Sequence, residues 1–207
     1  MEGRSSTNGI DTLLANPTMM KLQSALATRR AVEISEAGVR RAAVALIFRA
    51  GEEGRPELLF IKRAEYPGDP WSGQVAFPGG REEAGDASLS DTAIRETREE
   101  TGIDLERDGR VIGTLDDLYP RSVRLPPISV RPFVFALGRS ETLTLSSEVA
   151  LAFWIPFGSL ATTDAWSEDT VFARGIQINA RVFRHQDHVI WGMTERILAQ
   201  LLGFVER

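Results

Sequence analysis

Glu96, Glu99 and Glu100 crowd the end of a stretch that opens on Gly79-Gly80 and closes on Gly102-Ile103. Ser88 is a favourable N-cap with Asp91 three residues on, and Gly102 suits a left-handed C-terminal residue, so the spacing predicts a helix over Leu89–Thr101. At about 100° per residue, Ala93, Ile94, Thr97 and Thr101 gather on one side of that helix and the three glutamates on the other. Like charges three and four residues apart cost about 0.2–0.5 kcal/mol each, and Arg95, four residues before Glu99, offsets only part of this. A hard divalent cation, Mg²⁺ or Mn²⁺, takes oxygen ligands and bridges to phosphates, which is the chemistry that would neutralise such a face. A solvated acidic helix face is the plainer alternative.

The wider pattern resembles the Nudix box, in which a glycine, a spaced acid and the run R-E-U-x-E-E-x-G-U recur, U being bulky and apolar. Arg95-Glu96-Thr97-Arg98-Glu99-Glu100-Thr101-Gly102-Ile103 matches every fixed position, with Thr97 a soft fit to the first U. Asp86 stands where the spaced glutamate usually does, and eight residues rather than seven separate it from Arg95. That spacing is similar to the coenzyme A pyrophosphatase branch, as is Gly73-Gln74-Val75-Ala76-Phe77-Pro78-Gly79-Gly80 just before it and Ile190-Trp191-Gly192-Met193-Thr194 near the end. Leu58-Leu59 and Lys62-Arg63-Ala64 match an earlier part of the branch pattern, but the interval from Arg63 to Gly73 is one residue too long for it, and Gly68 occupies the place of a second arginine.

The resemblance implies an α/β fold, a Nudix-type α/β/α sandwich with a mixed β-sheet, here with an N-terminal helical extension. It implies metal ligation by Glu96, Glu99 and Glu100, with Glu96 and Glu100 the firmest ligands and a Gly79 or Gly80 carbonyl able to complete a shell. Arg95 then orients carboxylates, and Glu99 adjoins the chemistry. Nudix enzymes often draw a further ligand or base from a loop outside the box. Glu148, before the apolar stretch Phe153-Trp154-Ile155-Pro156, is the candidate for that general base. Arg63, Gly79 and Gly80 are assigned to substrate contact, joined by Arg121 and Arg124 from a Pro- and Arg-rich loop whose alternative is simple solvent exposure.

The elements that must position these groups follow from pattern. A chain of 207 residues with 43% hydrophobic content supports one good core. Residues 42–48 and 58–63 read as a hairpin, 73–78 as an extended entry to the glycines, and 111–118, 130–136 and 176–183 as further strands. Residues 162–169 read as polar loop, Pro132 as an edge or bulge position, and 190–202 as a closing amphipathic helix. Residues 1–8 read as a flexible tail, 9–36 as a helical hairpin broken near Pro17, and 37–207 as the hydrolase domain. His185 and His188 lack a third soft ligand nearby and read as surface or hydrogen-bonding residues.

A net charge of −5 opposes nucleic-acid or anionic-membrane partners. The absence of cysteine removes thiol and zinc-thiolate chemistry, and no apolar run approaches the roughly 18 residues of a membrane span. A cytoplasmic enzyme acting on a small nucleotide is the expectation, with a homodimer left open. Within it stand coenzyme A or its derivatives as substrate, another nucleotide such as a nucleotide sugar, a dinucleoside polyphosphate or an oxidised nucleoside triphosphate, and a non-catalytic ligand sensor.

Overall fold

The computed structural model describes residues 3–69, 71–120, 127–138, 142–173 and 175–205. Its centre is β1 (Arg40–Ala50), paired antiparallel with β2 (Pro56–Arg63) and parallel with β6 (Ile128–Leu137). Around these lie β3 (Val75–Ala76) and β7 (Val149–Pro156) on β2, β4 (Gly79–Arg81) on β1, and β5 (Gly109–Thr114) on β6.

Strand alternation separates two cores. Leu46 and Phe48 of β1 and Val134 and Ala136 of β6 face a core shared with α1 (Gly3–Leu14), α2 (Pro17–Ala27) and α6 (Gly192–Leu202). Ala43, Ala45 and Ile47 with Phe133 and Phe135 face a second core, closed by Leu89 and Ala93 of α3 (Leu89–Thr101) and by Leu105 of α4 (Leu105–Asp108). Both faces of the mixed sheet are thus covered by helices, the expected sandwich. A short α5 (Phe157–Leu160) follows β7, and a separate sheet orders β10 (His188–Ile190), β9 (Ile176–His185) and β8 (Trp166–Ala173). Among the described residues no helix is long and apolar enough to cross a membrane.

Three sequence expectations change. The stretch read as a tail is helical from Gly3, because α1 is anchored downstream by buried Ile10 and Leu13 in the main core and its earlier turns continue that axis. The polar segment 162–169 already enters β8 at Trp166, whose ring packs on Phe183 and lies under Arg181 from the facing β9. Pro132 sits on an interior strand. A strand residue's N–H and C=O point the same way, and the Pro132 carbonyl accepts from Leu115 just past the end of β5, so the missing N–H falls where that ladder has finished.

Candidate active site

α3 is bounded as its sequence dictates. Ser88 Oγ accepts from the Asp91 N–H at 3.3 Å, and Gly102 takes φ +75 as its N–H bonds the Arg98 carbonyl. Its inner face buries Thr92, Ala93, Thr97 and Thr101 against the sheet. The acidic face does not point uniformly to water. Glu100 has only 5% of its side chain exposed, Glu96 18%, and Glu99 60%.

The floor opposite is β4. Its pairing sets Gly79 against Val44 and Gly80 against Ala43. Gly79 adopts φ +147, and a Cβ there would stand 2.2 Å from the Ala43 carbonyl oxygen, so only glycine fits the approach. A Cβ on Gly80 would meet the Glu96 carboxylate at 2.3 to 2.6 Å. The Gly79 N–H donates to Glu100 Oε2 at 2.9 Å.

Arg95 organises one end of this face. Its Nε and one terminal nitrogen each bond Asp86 at 3.0 Å, it reaches Glu96 at 3.0 Å and Glu99 at 3.4 Å, and it ties to the Arg81 carbonyl at 3.0 Å. Asp86, 5% exposed, also accepts from Thr92 and from the Glu83 N–H, and Arg95 beside it holds its carboxyl far below the usual range. The residue that departs from the usual box therefore anchors the arginine, a role its position alone did not declare.

Glu148 arrives from a distant loop. The Thr144 and Ser146 N–H groups cap the Thr101 and Glu100 carbonyls at 2.9 and 3.1 Å, using acceptors that a helix end leaves free, and the Glu148 carbonyl accepts from Ala64 at 2.8 Å. Glu148, Glu96, Glu100, Arg63, Gly79 and Gly80 line one cavity of about 410 Å³, a volume suited to a small ligand. Its remaining wall is largely apolar, with Val44, Phe77, Ile128, Val130, Met193 and Ile197. Arg95 and Glu99 stand outside that lining, and Arg121 and Arg124 lie outside the described residues.

Sequence reasoning missed Asp69. It receives Arg63 through two nitrogens at 2.9 and 3.3 Å, turning the guanidinium so that another nitrogen lies 3.9 Å from Glu100 Oε1. The only signal was an aspartate in the Pro- and Gly-containing loop beside the site. His185 and His188 both stack on Phe153, in keeping with a structural role.

Burial pushes the Glu100 carboxyl up to about 7; the Gly79 N–H and Arg63 pull it down, while Glu96 and Glu148 add to the rise. Glu96 is raised as well, first by burial, with Arg95 opposing and Glu99 and Glu148 contributing repulsion. Among the described residues no three His, Asp or Glu side chains converge on one point, because Glu100 leans to Gly79, Glu96 to Arg95 and Glu99 outward. The donor set nevertheless suits a hard divalent cation: carboxylate oxygens one helical turn apart over a glycine floor, two of them at raised proton affinity from desolvation and mutual repulsion that a cation relieves.

A family model described as the NUDIX domain matches residues 39–175. The human mitochondrial coenzyme A diphosphatase NUDT8 is 30% identical over 184 residues, covering 86% of this chain and 76% of that protein. An uncharacterised protein of Schizosaccharomyces pombe is 39% identical over 109 residues, 51% of this chain and 33% of that protein, so the chain spans a third of that relative's length. Among solved structures, a MutT/nudix family protein from Enterococcus faecalis superposes with a TM-score of 0.51 over 96% of this chain and 73% of its own, at 15% identity, a likeness of fold. With the box helix, its glycine floor and its arginine anchor built as described and the family model spanning most of the chain, the protein belongs to the Nudix hydrolase family, pyrophosphohydrolases that act on phosphoanhydride bonds.

Proposed function

We propose that this enzyme hydrolyses the diphosphate of coenzyme A or its derivatives, giving phosphopantetheine and adenosine 3',5'-bisphosphate. The observation that carries the reading is the composition of one cavity: Glu96, Glu100, Glu148 and Arg63 line it together with an apolar set of Val44, Phe77, Ile128, Val130, Met193 and Ile197. A charged diphosphate suits the first part, and a long, weakly polar arm suits the second. Likeness to the human diphosphatase supports the same choice.

Glu96 and Glu100 would hold Mg²⁺ or Mn²⁺, with Glu99 able to join by rotating inward. When bound, the cation supplies positive charge against the phosphate oxygens. Arg95, locked by Asp86, sets the Glu96 carboxylate over Gly80 and reaches Glu99 on the outer side. Arg63, aimed by Asp69, faces the diphosphate as a cation. Glu148 takes a proton from the water that attacks phosphorus; the new P–O bond forms as the anhydride P–O bond breaks, and the leaving group departs as a phosphate monoester. No covalent enzyme intermediate is needed. Residues 37–207 form the catalytic unit, and 9–36 serve as a helical extension that shares its core.

Incubation of the purified protein with Mg²⁺ or Mn²⁺ and a panel of diphosphates, with products identified by mass, tests the reading. Phosphopantetheine and adenosine 3',5'-bisphosphate are the expected products. Turnover of other nucleotides with coenzyme A left intact would overturn the substrate assignment, and no turnover of any compound would turn the protein into a ligand sensor.

A further inference from the structure

A second cavity of about 410 Å³ adjoins the first, and Asp69, Gln74 and Val75 line both. The partition between the two is therefore formed by the same few residues. β2 distributes its last two cations across that partition. Strand alternation sends neighbouring side chains to opposite faces, and Lys62 lines the second cavity while Arg63 lines the first. Arg63 is paired with Asp69, whereas the Lys62 side chain makes no hydrogen bond or ion pair among the described residues.

The second cavity also differs in its rings. Trp191, His188 and Phe172 line it. The His188 ring is held in a stack on Phe153 at 4.4 Å, and Phe172, on β8, is 73% exposed. A half-buried lysine whose ammonium has no partner among the described residues, flat rings and an open phenyl at the rim make a poor surface for bulk water and a good one for a planar base that carries a phosphate. Ser72 Oγ already accepts from the Tyr66 N–H and keeps its own hydrogen to donate. Asp69 would repel an anion, but its charge is matched by Arg63. Asp187 also lines this cavity, but from the exposed β9–β10 turn, where solvent screens its charge at the rim.

We propose that this second cavity is a nucleoside-phosphate subsite. An aromatic base lies among Trp191, His188 and Phe172, a phosphate monoester on its ribose pairs with Lys62, and the diphosphate crosses the Asp69–Gln74–Val75 partition to reach Arg63 and Glu100. The inference rests on the proposed cleavage of coenzyme A for the identity of the whole substrate, and it adds which end of that substrate goes where. The apolar wall of the first cavity then receives the other arm.

Calorimetric titration of the wild-type protein and of the variants Lys62→Met and Phe172→Ser with adenosine 3',5'-bisphosphate and with adenosine tests it directly. Lys62→Met should weaken bisphosphate binding about tenfold or more and leave adenosine binding unchanged, as loss of one charge-assisted contact requires. Phe172→Ser should weaken both ligands. Both residues are partly or largely exposed, and thermal melts check that each variant folds. Wild-type protein that fails to bind the bisphosphate, or equal bisphosphate affinity in wild type and Lys62→Met, overturns the subsite. Binding through Lys62 in a protein that leaves coenzyme A intact would sink the substrate assignment and uphold the subsite, so the two failures are distinct.

Discussion

The two ends of α3 are fastened by different means. The N-terminal end is held by its own neighbourhood: Ser88 caps it, and Asp86 grips Arg95 nine residues on. The C-terminal end is held by a loop more than forty residues away, whose Thr144 and Ser146 N–H groups cover the last carbonyls and carry Glu148 to the cavity. Local chemistry thus sets the direction of the acidic face, and a long-range contact completes the site with a further carboxylate. Glu100 lies between the two systems, tied by its side chain to Gly79 and by its carbonyl to Ser146.

The residue common to both should show the largest effect. Glu100→Gln should lower kcat about a thousandfold, since several kcal/mol of charge stabilisation would be lost with the ligand. Near-normal turnover would remove Glu100 from the site. The same substitution should help the metal-free fold. The Glu100 carboxyl is raised from 4.5 to about 7 in the folded state, so the fold binds its proton more tightly than the unfolded chain does. That preference is fully present below pH 4.5 and is lost as pH rises to about 7, a change of about 3 kcal/mol at 1.36 kcal/mol per unit. Denaturant titrations in chelator should therefore show Glu100→Gln gaining on wild type between those limits. A constant difference across pH would mean that the carboxylate is not desolvated as described.

Glu148→Gln strikes the long-range system alone. Turnover should fall about a hundredfold, because the amide cannot accept the proton of the attacking water. Unchanged turnover would return Glu148 to the ordinary surface residues. Asp86→Asn strikes the local system alone. It removes the carboxylate charge that grips Arg95 through two nitrogens, leaving Glu96 and Glu99, and should cost about tenfold in activity, the usual scale for a group that orients ligands. Because the same carboxyl bonds Thr92 and the Glu83 N–H, the melting temperature should fall with it.

This division also explains what could be read from the sequence. The helix limits, the burial of Ala93 and Thr97, the hairpin of β1 and β2, and the buried Ile197, Leu198, Leu201 and Leu202 of the last helix all follow from periodicity and end signals. Such signals act within one or two turns of chain. Asp69 behind Arg63 escaped notice because their pairing depends on how a loop of Pro and Gly folds back. The start of β8 at Trp166 was hidden for a related reason: a polar segment becomes a strand only where β9 supplies a partner. The second cavity, which Lys62 shares with aromatic residues, likewise needs Phe172, Trp191 and β2 to meet from three parts of the chain.

The mildest test separates the two fastenings by geometry. Gly102 has φ +75, and a Cβ there would stand 3.1 Å from the Thr144 Cβ, so Gly102→Ala both strains the helix end and pushes on the loop that carries Glu148. The strain should lower unfolding free energy by about 1–2 kcal/mol, the cost of a left-handed residue with a side chain. Because Asp86 and Arg95 keep their contacts toward the other end of the helix and the Glu100 carboxylate keeps the Gly79 N–H, kcat should fall by less than in Glu148→Gln. Wild-type kcat at the reduced stability would show that the Ala64 N–H to Glu148 carbonyl bond is enough to hold the base, and that the cap on Thr101 serves the fold alone.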